Sequence, residues 1–101
     1  MKKKQMIKLY TGPACSACIK LKARLAGLEI TADRYEEANV NVPANRDEVI
    51  KLGFRGVPLL VRYDIDGEVV GALMGATKAD SAYTDIFKGA WESPHVIHEP
   101  L

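Results

Sequence analysis

The sequence has no apolar run approaching the ~20 residues that a membrane-spanning helix needs, which excludes such a helix. Charge of one sign is also missing. Lysine and arginine total 14 against 13 acidic residues, so no overall field draws the chain to nucleic acid, a membrane surface or an acidic partner. A secretion signal is not legible either: Met1-Lys2-Lys3-Lys4 is basic like the start of one, but Gln5, Lys8 and Gly12-Pro13 interrupt any apolar stretch behind it. The expected location is the cytoplasm. Cysteine is scarce, with two in 101 residues, at positions 15 and 18. Small secreted domains bridge distant positions, whereas a bridge this short constrains almost none of the unfolded chain, so a purely structural disulfide is disfavoured. No internal repeat is present.

What remains is a globular balance of 48% hydrophobic and 27% charged residues, which fits one domain with one core. Its expected extent is residues 1–93, with 94–101 as a polar tail, and the default assembly is a monomer. Met6 to Tyr10 is a short apolar run stopped by Thr11-Gly12-Pro13, a strand followed by a turn. From Cys15, the positions Cys18, Leu21, Leu25 and Leu28 recur at helical spacing, and Gly27 in a left-handed conformation is expected to end that helix near Ala26. Residues 29–41 fit a strand or a helix, and a strand over 33–40 is preferred. Asn45 with Glu48 three residues on has capping-box spacing, ahead of Val49, Ile50, Leu52 and a stop at Gly53. Leu59–Tyr63 and Glu68–Leu73 are strands joined through Asp64-Ile65-Asp66-Gly67, a hairpin signal. Thr77 with Asp80 predicts the cap of a last helix whose apolar face runs from Ala79 through Phe87 to Ala90, with Trp91 at its end. The order strand, helix, strand, helix, strand, strand, helix predicts an α/β fold with a mixed sheet covered by helices on both faces.

Cys15-Ser16-Ala17-Cys18 stands at the start of the first helix. A thiolate is the species that attacks a disulfide, and a helix N-terminus favours that anion with unpaired N–H groups and a partial positive charge. Cys15, the outer thiol, is the candidate nucleophile. Cys18, one turn deeper, is the candidate resolving thiol. A Cys-x-x-Cys pair is also half of a zinc site, and His95 and His98 complete a formal Cys2His2 set. Their two intervening residues fall short of the usual ~3 to 5, so no metal is expected. Val57-Pro58, read alone, is a trans proline opening an edge strand.

The Cys-x-x-Cys pair after the first strand, together with Gly53-Phe54-Arg55-Gly56-Val57-Pro58 before the third, resembles the thioredoxin-like redoxins over almost the whole chain. The second motif looks most like the small glutaredoxin-like redoxins that supply electrons to ribonucleotide reductase. The resemblance implies a central four-stranded mixed sheet flanked by three helices, a dithiol-disulfide oxidoreductase without a cofactor, and a disulfide-containing protein as substrate. It also implies a cis Val57-Pro58 bond facing the cysteines, with the backbone of Val57 pairing with an extended substrate segment. Gly75 falls where the family's backbone passes close to the site. Tyr10 and Pro13 are assigned to the site's lining, although a tyrosine ending a strand is as often a core residue. Arg55 is assigned to binding a substrate carboxylate, while Lys20 and Lys22 are expected to be solvated. Ser16-Ala17 matches neither the Gly-Pro usual in thioredoxins nor the Pro-Tyr usual in glutaredoxins. Thioredoxin reductase and glutathione therefore both remain possible reductants. A glutathione-dependent glutaredoxin and a thioredoxin-fold binding or metal-carrier module are the rival readings.

Overall fold

The computed structural model describes residues 5–30 and 32–88. The elements follow in the order β1 (Met6–Thr11), α1 (Ser16–Leu25), β2 (Arg34–Asn39), α2 (Pro43–Lys51), β3 (Leu59–Tyr63), β4 (Val69–Met74) and α3 (Asp80–Lys88). The sheet order is β2-β1-β3-β4. β1 and β2 run parallel with Met6 opposite Arg34, as a strand-helix-strand unit requires, and β3 runs antiparallel to β1 and β4. This is the expected thioredoxin-like α/β arrangement, including the strand reading of the ambiguous stretch after Glu29.

Period-two alternation divides the core between the two faces. Ile7, Leu9, Leu60 and Leu73 pack beneath Leu21 and Leu25 of α1 and Tyr83, Ile86 and Phe87 of α3. Tyr10, Leu59, Val61, Tyr63 and Ala72 pack on the other face with Val49 of α2 and Phe54. β3 lies between two strands and two helical layers, so all five of its residues are buried. That explains why four of the five are apolar. Its one charge, Arg62, is 4% exposed. Its guanidinium ties β3 to α3, with Nη1 donating to the carbonyls of Ile86 (2.9 Å) and Phe87 (3.0 Å) and Nη2 to Gln5 Oε1.

Three local expectations are corrected. α2 begins at Pro43 after Val42, which makes no side-chain cap. Proline suits the first turn because its missing N–H would have had no partner there. Asn45 therefore lies inside the helix, and its side-chain amide donates 2.9 Å back to the carbonyl of Asn39. α3 begins at Asp80, three residues past Thr77, because the carbonyls of Ala76 and Lys78 are held by Arg24 of α1 and that of Gly75 by the Tyr83 hydroxyl. α1 ends at Leu25 with Ala26 as its cap, as expected, but Ala26 is right-handed and Gly27 is not among the left-handed glycines of the described residues, Gly53, Gly67 and Gly75. Ala90, Trp91, His95, His98 and the predicted tail lie outside the described residues.

Tyr10 is corrected as well. It is fully buried on the α2 face, and its hydroxyl shares a 2.7 Å hydrogen bond with that of Tyr63, which donates 3.3 Å to Glu48 Oε2. It lines no open groove. Burial pushes both phenols above their usual 10.0, and the Glu48 carboxylate pushes Tyr63 further. A raised folded pKa contributes stability that is complete below the unfolded value and is lost as pH rises above it. Tyr10 and Tyr63 should therefore form tyrosinate only together with the loss of helical circular dichroism in alkali. Ultraviolet titration showing either one ionising near pH 10 in folded protein would contradict this packing.

Candidate active site

β1 ends where Thr11 is buried and its Oγ1 donates 2.7 Å to Glu37 Oε2 of β2. The same carboxylate receives Lys22 Nζ of α1 at 2.8 Å, so one acidic side chain ties two strands to α1 at the base of the turn. The hydrogen bond from Lys22, then that from Thr11, holds the Glu37 carboxyl below its usual range. Lys22 is thus engaged rather than merely solvated, which spacing alone does not show.

The turn itself is Gly12-Pro13-Ala14. Pro13 is exposed and Ala14 is left-handed at φ 50°, which redirects the chain so that Cys15 caps α1. Cys15 has extended backbone angles, and its Sγ accepts the N–H of Cys18 at 3.0 Å. That is the geometry of an oxygen-bearing helix cap, with sulfur in the oxygen's place. Cys15 and Cys18 form a disulfide across 5.2 Å between Cα atoms. Cys18 is 3% exposed, whereas Cys15 is half-buried.

The second motif meets the first through glycine. A methyl group on Gly12 would lie 3.2 Å from Val57 Cγ2, so the turn before the cysteines passes against Val57 closely enough that any side chain must displace it. The Val57-Pro58 bond is cis and Pro58 is buried. The carbonyl of Pro58 accepts the N–H of Gly75 at 2.8 Å. Gly75 has φ 94°, a conformation that a side chain would strain. Three segments separated in sequence therefore meet through Gly12 against Val57 and Gly75 against Pro58. Arg55 is exposed at an adjoining cleft of about 240 Å³, which Arg46, Val40, Val49, Phe54 and Val57 also line. No ion pair engages Arg46 or Arg55 among the described residues. No group of three or more His, Cys, Asp or Glu able to hold a metal occurs among the described residues.

The family model for glutaredoxin matches residues 7–70, a span that contains both the cysteine pair and the cis-proline. The chain belongs to the glutaredoxin family. Two solved structures of the DsbD C-terminal domain from Neisseria meningitidis share the fold of this glutaredoxin at 20% identity. The oxidised form has a TM-score of 0.53 over 77% of this chain and 73% of that one. The reduced form has 0.54 over 79% and 76%. No curated protein matches the chain. With its Cys15–Cys18 disulfide, this glutaredoxin is a thiol-disulfide oxidoreductase of the thioredoxin-like superfamily. The chemistry implies a disulfide-containing protein as substrate and a thiol reductant.

Proposed function

We propose that this protein is a cytoplasmic dithiol redoxin that reduces protein disulfides, with Cys15 as nucleophile and Cys18 as resolving thiol. The supporting observation is the unequal setting of the two sulfurs: Cys15 caps α1 and accepts a backbone N–H, while Cys18 is buried one turn inside. In the reduced protein the Cys15 thiolate attacks one sulfur of the substrate disulfide, forming a mixed disulfide and releasing the other sulfur as a thiolate. The Cys18 thiolate then attacks Cys15 Sγ, forming the intramolecular disulfide and releasing the second substrate thiolate. Two electrons leave the protein, and the substrate thiolates take up protons from solvent. Among the described residues, no backbone hydrogen bond outside the regular elements engages Val57. This suits pairing of its backbone with an extended substrate segment beside Cys15.

The proposed target is the disulfide of ribonucleotide reductase, on the resemblance carried by Gly53-Phe54-Arg55-Gly56-Val57-Pro58, and the proposed reductant is a flavoprotein of the thioredoxin-reductase type. Family membership and the two guanidinium groups at the cleft favour a second reading, in which glutathione is the reductant and its carboxylates meet Arg46 or Arg55. NADPH oxidation in the presence of an oxidised protein substrate separates the two. Turnover with thioredoxin reductase supports the first reading, turnover solely with glutathione and glutathione reductase supports the second, and no turnover with either contradicts both. A stoichiometric metal in the purified protein would favour the carrier module instead.

A further inference from the structure

The segment from Gly75 to Ala79, between β4 and α3, is held mainly by two side chains. Arg24, on α1, donates from Nη1 to the carbonyl of Ala76 at 2.6 Å and from Nη2 to the carbonyl of Lys78 at 2.9 Å, and Nη2 also pairs with the Asp80 carboxylate. Tyr83, on α3, is 1% exposed. Its hydroxyl donates 2.7 Å to the carbonyl of Gly75 and accepts the N–H of Lys78 at 3.2 Å. The Arg24 guanidinium lies over the Tyr83 ring, 4.9 Å from its centroid. Two side chains therefore satisfy four backbone groups of a five-residue loop. The first residue of that loop donates directly to the carbonyl of Pro58.

The helix that carries this guanidinium also starts at Cys15. α1 thus presents the redox sulfur at its N-terminus and grips, from its last turn, the loop that abuts the cis-proline. The Arg24–Asp80 ion pair is exposed on the carboxylate side, at 83%, and such a pair contributes little to global stability. What the arrangement fixes is position. A planar fork reaching two carbonyls at once holds the loop in one geometry, whereas a lysine ammonium of the same charge is a point donor on a flexible stem.

We propose that Arg24 and Tyr83 are positioning residues for protein substrates: they fix the Gly75–Lys78 loop against Pro58, and so set the affinity for an extended disulfide-bearing segment without altering the thiol chemistry of Cys15. The inference rests on the reading of this protein as a protein-disulfide reductase. The test is steady-state reduction of insulin with dithiothreitol as recycling reductant, beside reduction of a small aromatic disulfide that needs no extended binding surface. Arg24→Met and Arg24→Lys should each raise KM for insulin about tenfold with kcat little changed, and Tyr83→Phe should raise it about threefold. All three should reduce the small disulfide within about twofold of the wild-type rate. An Arg24→Lys protein with wild-type KM would overturn the proposal, because charge alone would then suffice. Parallel loss toward both substrates in folded variants would also overturn it, as a general structural effect. Should the Arg24 variants fail to fold, Tyr83→Phe decides, since it deletes one hydroxyl and leaves the ring packed. A wild-type protein that reduces the small disulfide but not insulin would instead contradict the underlying reading, before any variant is compared.

Discussion

Cys15→Ser abolishes reduction of a protein disulfide, lowering the initial rate at least about a thousandfold, to the level of the recycling reductant alone. The hydroxyl that replaces the thiol stays protonated near neutral pH and still accepts the Cys18 N–H as a helix cap, so α1 is retained while the nucleophile is lost. Cys18 does not substitute for it. At 3% exposure its sulfur is out of reach of a disulfide held in another protein. Cys18→Ser behaves differently. Cys15 still attacks, but the mixed disulfide has no internal thiol to resolve it, so one equivalent of substrate thiol is released quickly and turnover then depends on an added thiol. Insulin reduction followed by thiol release, with both variants confirmed folded by circular dichroism, checks the pair. Equal steady-state rates for Cys15→Ser and wild type would contradict the assigned roles.

Arg62→Ala has the second large effect, this time on stability, with an expected loss of ~3 kcal/mol and a fall in Tm of roughly 12–24 °C. Burial disfavours the charged guanidinium and lowers its pKa, an effect partly opposed by Asp33, so the residue is costly in itself. Its retention follows from what it satisfies. The carbonyls of Ile86 and Phe87 lie near the C-terminal end of α3 as described, and Arg62 donates to both. Replacing a whole buried polar cluster with apolar groups is often neutral, but removing one member strands the others. Arg62→Met, which restores apolar volume but no donor, should therefore be nearly as damaging as Arg62→Ala. Thermal denaturation that finds Arg62→Met as stable as wild type would show the buried charge to be dispensable.

The fold was legible where local chemistry and tertiary position agree. Leu59–Tyr63 reads as a buried strand because it is central, and Cys15-Ser16-Ala17-Cys18 reads as a helix start because turn residues precede it and helical spacing follows. Local pattern misleads where the decisive partner is distant in sequence. Tyr10 and Leu9 are adjacent apolar residues on opposite faces, and periodicity does not say which face meets α2, so the pattern offers Tyr10 to the groove whereas Tyr63, itself bonded to Glu48, holds it in the core. Asn45 and Thr77 have the chemistry of helix caps. Pro43 starts α2 earlier, and Arg24 and Tyr83 hold the chain after Thr77 in a non-helical path until Asp80. Nothing local marks Arg62 as buried, because its partners Ile86 and Phe87 lie in α3, more than twenty residues downstream. At the site, the cysteine pair was visible from spacing. The cis form of Val57-Pro58 came from family resemblance alone, since the same residues in isolation favour trans.

The mixed disulfide itself is the most direct test. Reduced Cys18→Ser protein is mixed with a disulfide-bonded protein substrate, quenched with acid and peptide-mapped by mass spectrometry, with Cys15→Ser treated alongside. The predicted result is a covalent adduct joining Cys15 to a substrate cysteine in the first variant and no adduct in the second. An adduct at Cys18 in Cys15→Ser, or none in either variant, would contradict the assignment of Cys15 as the attacking thiol.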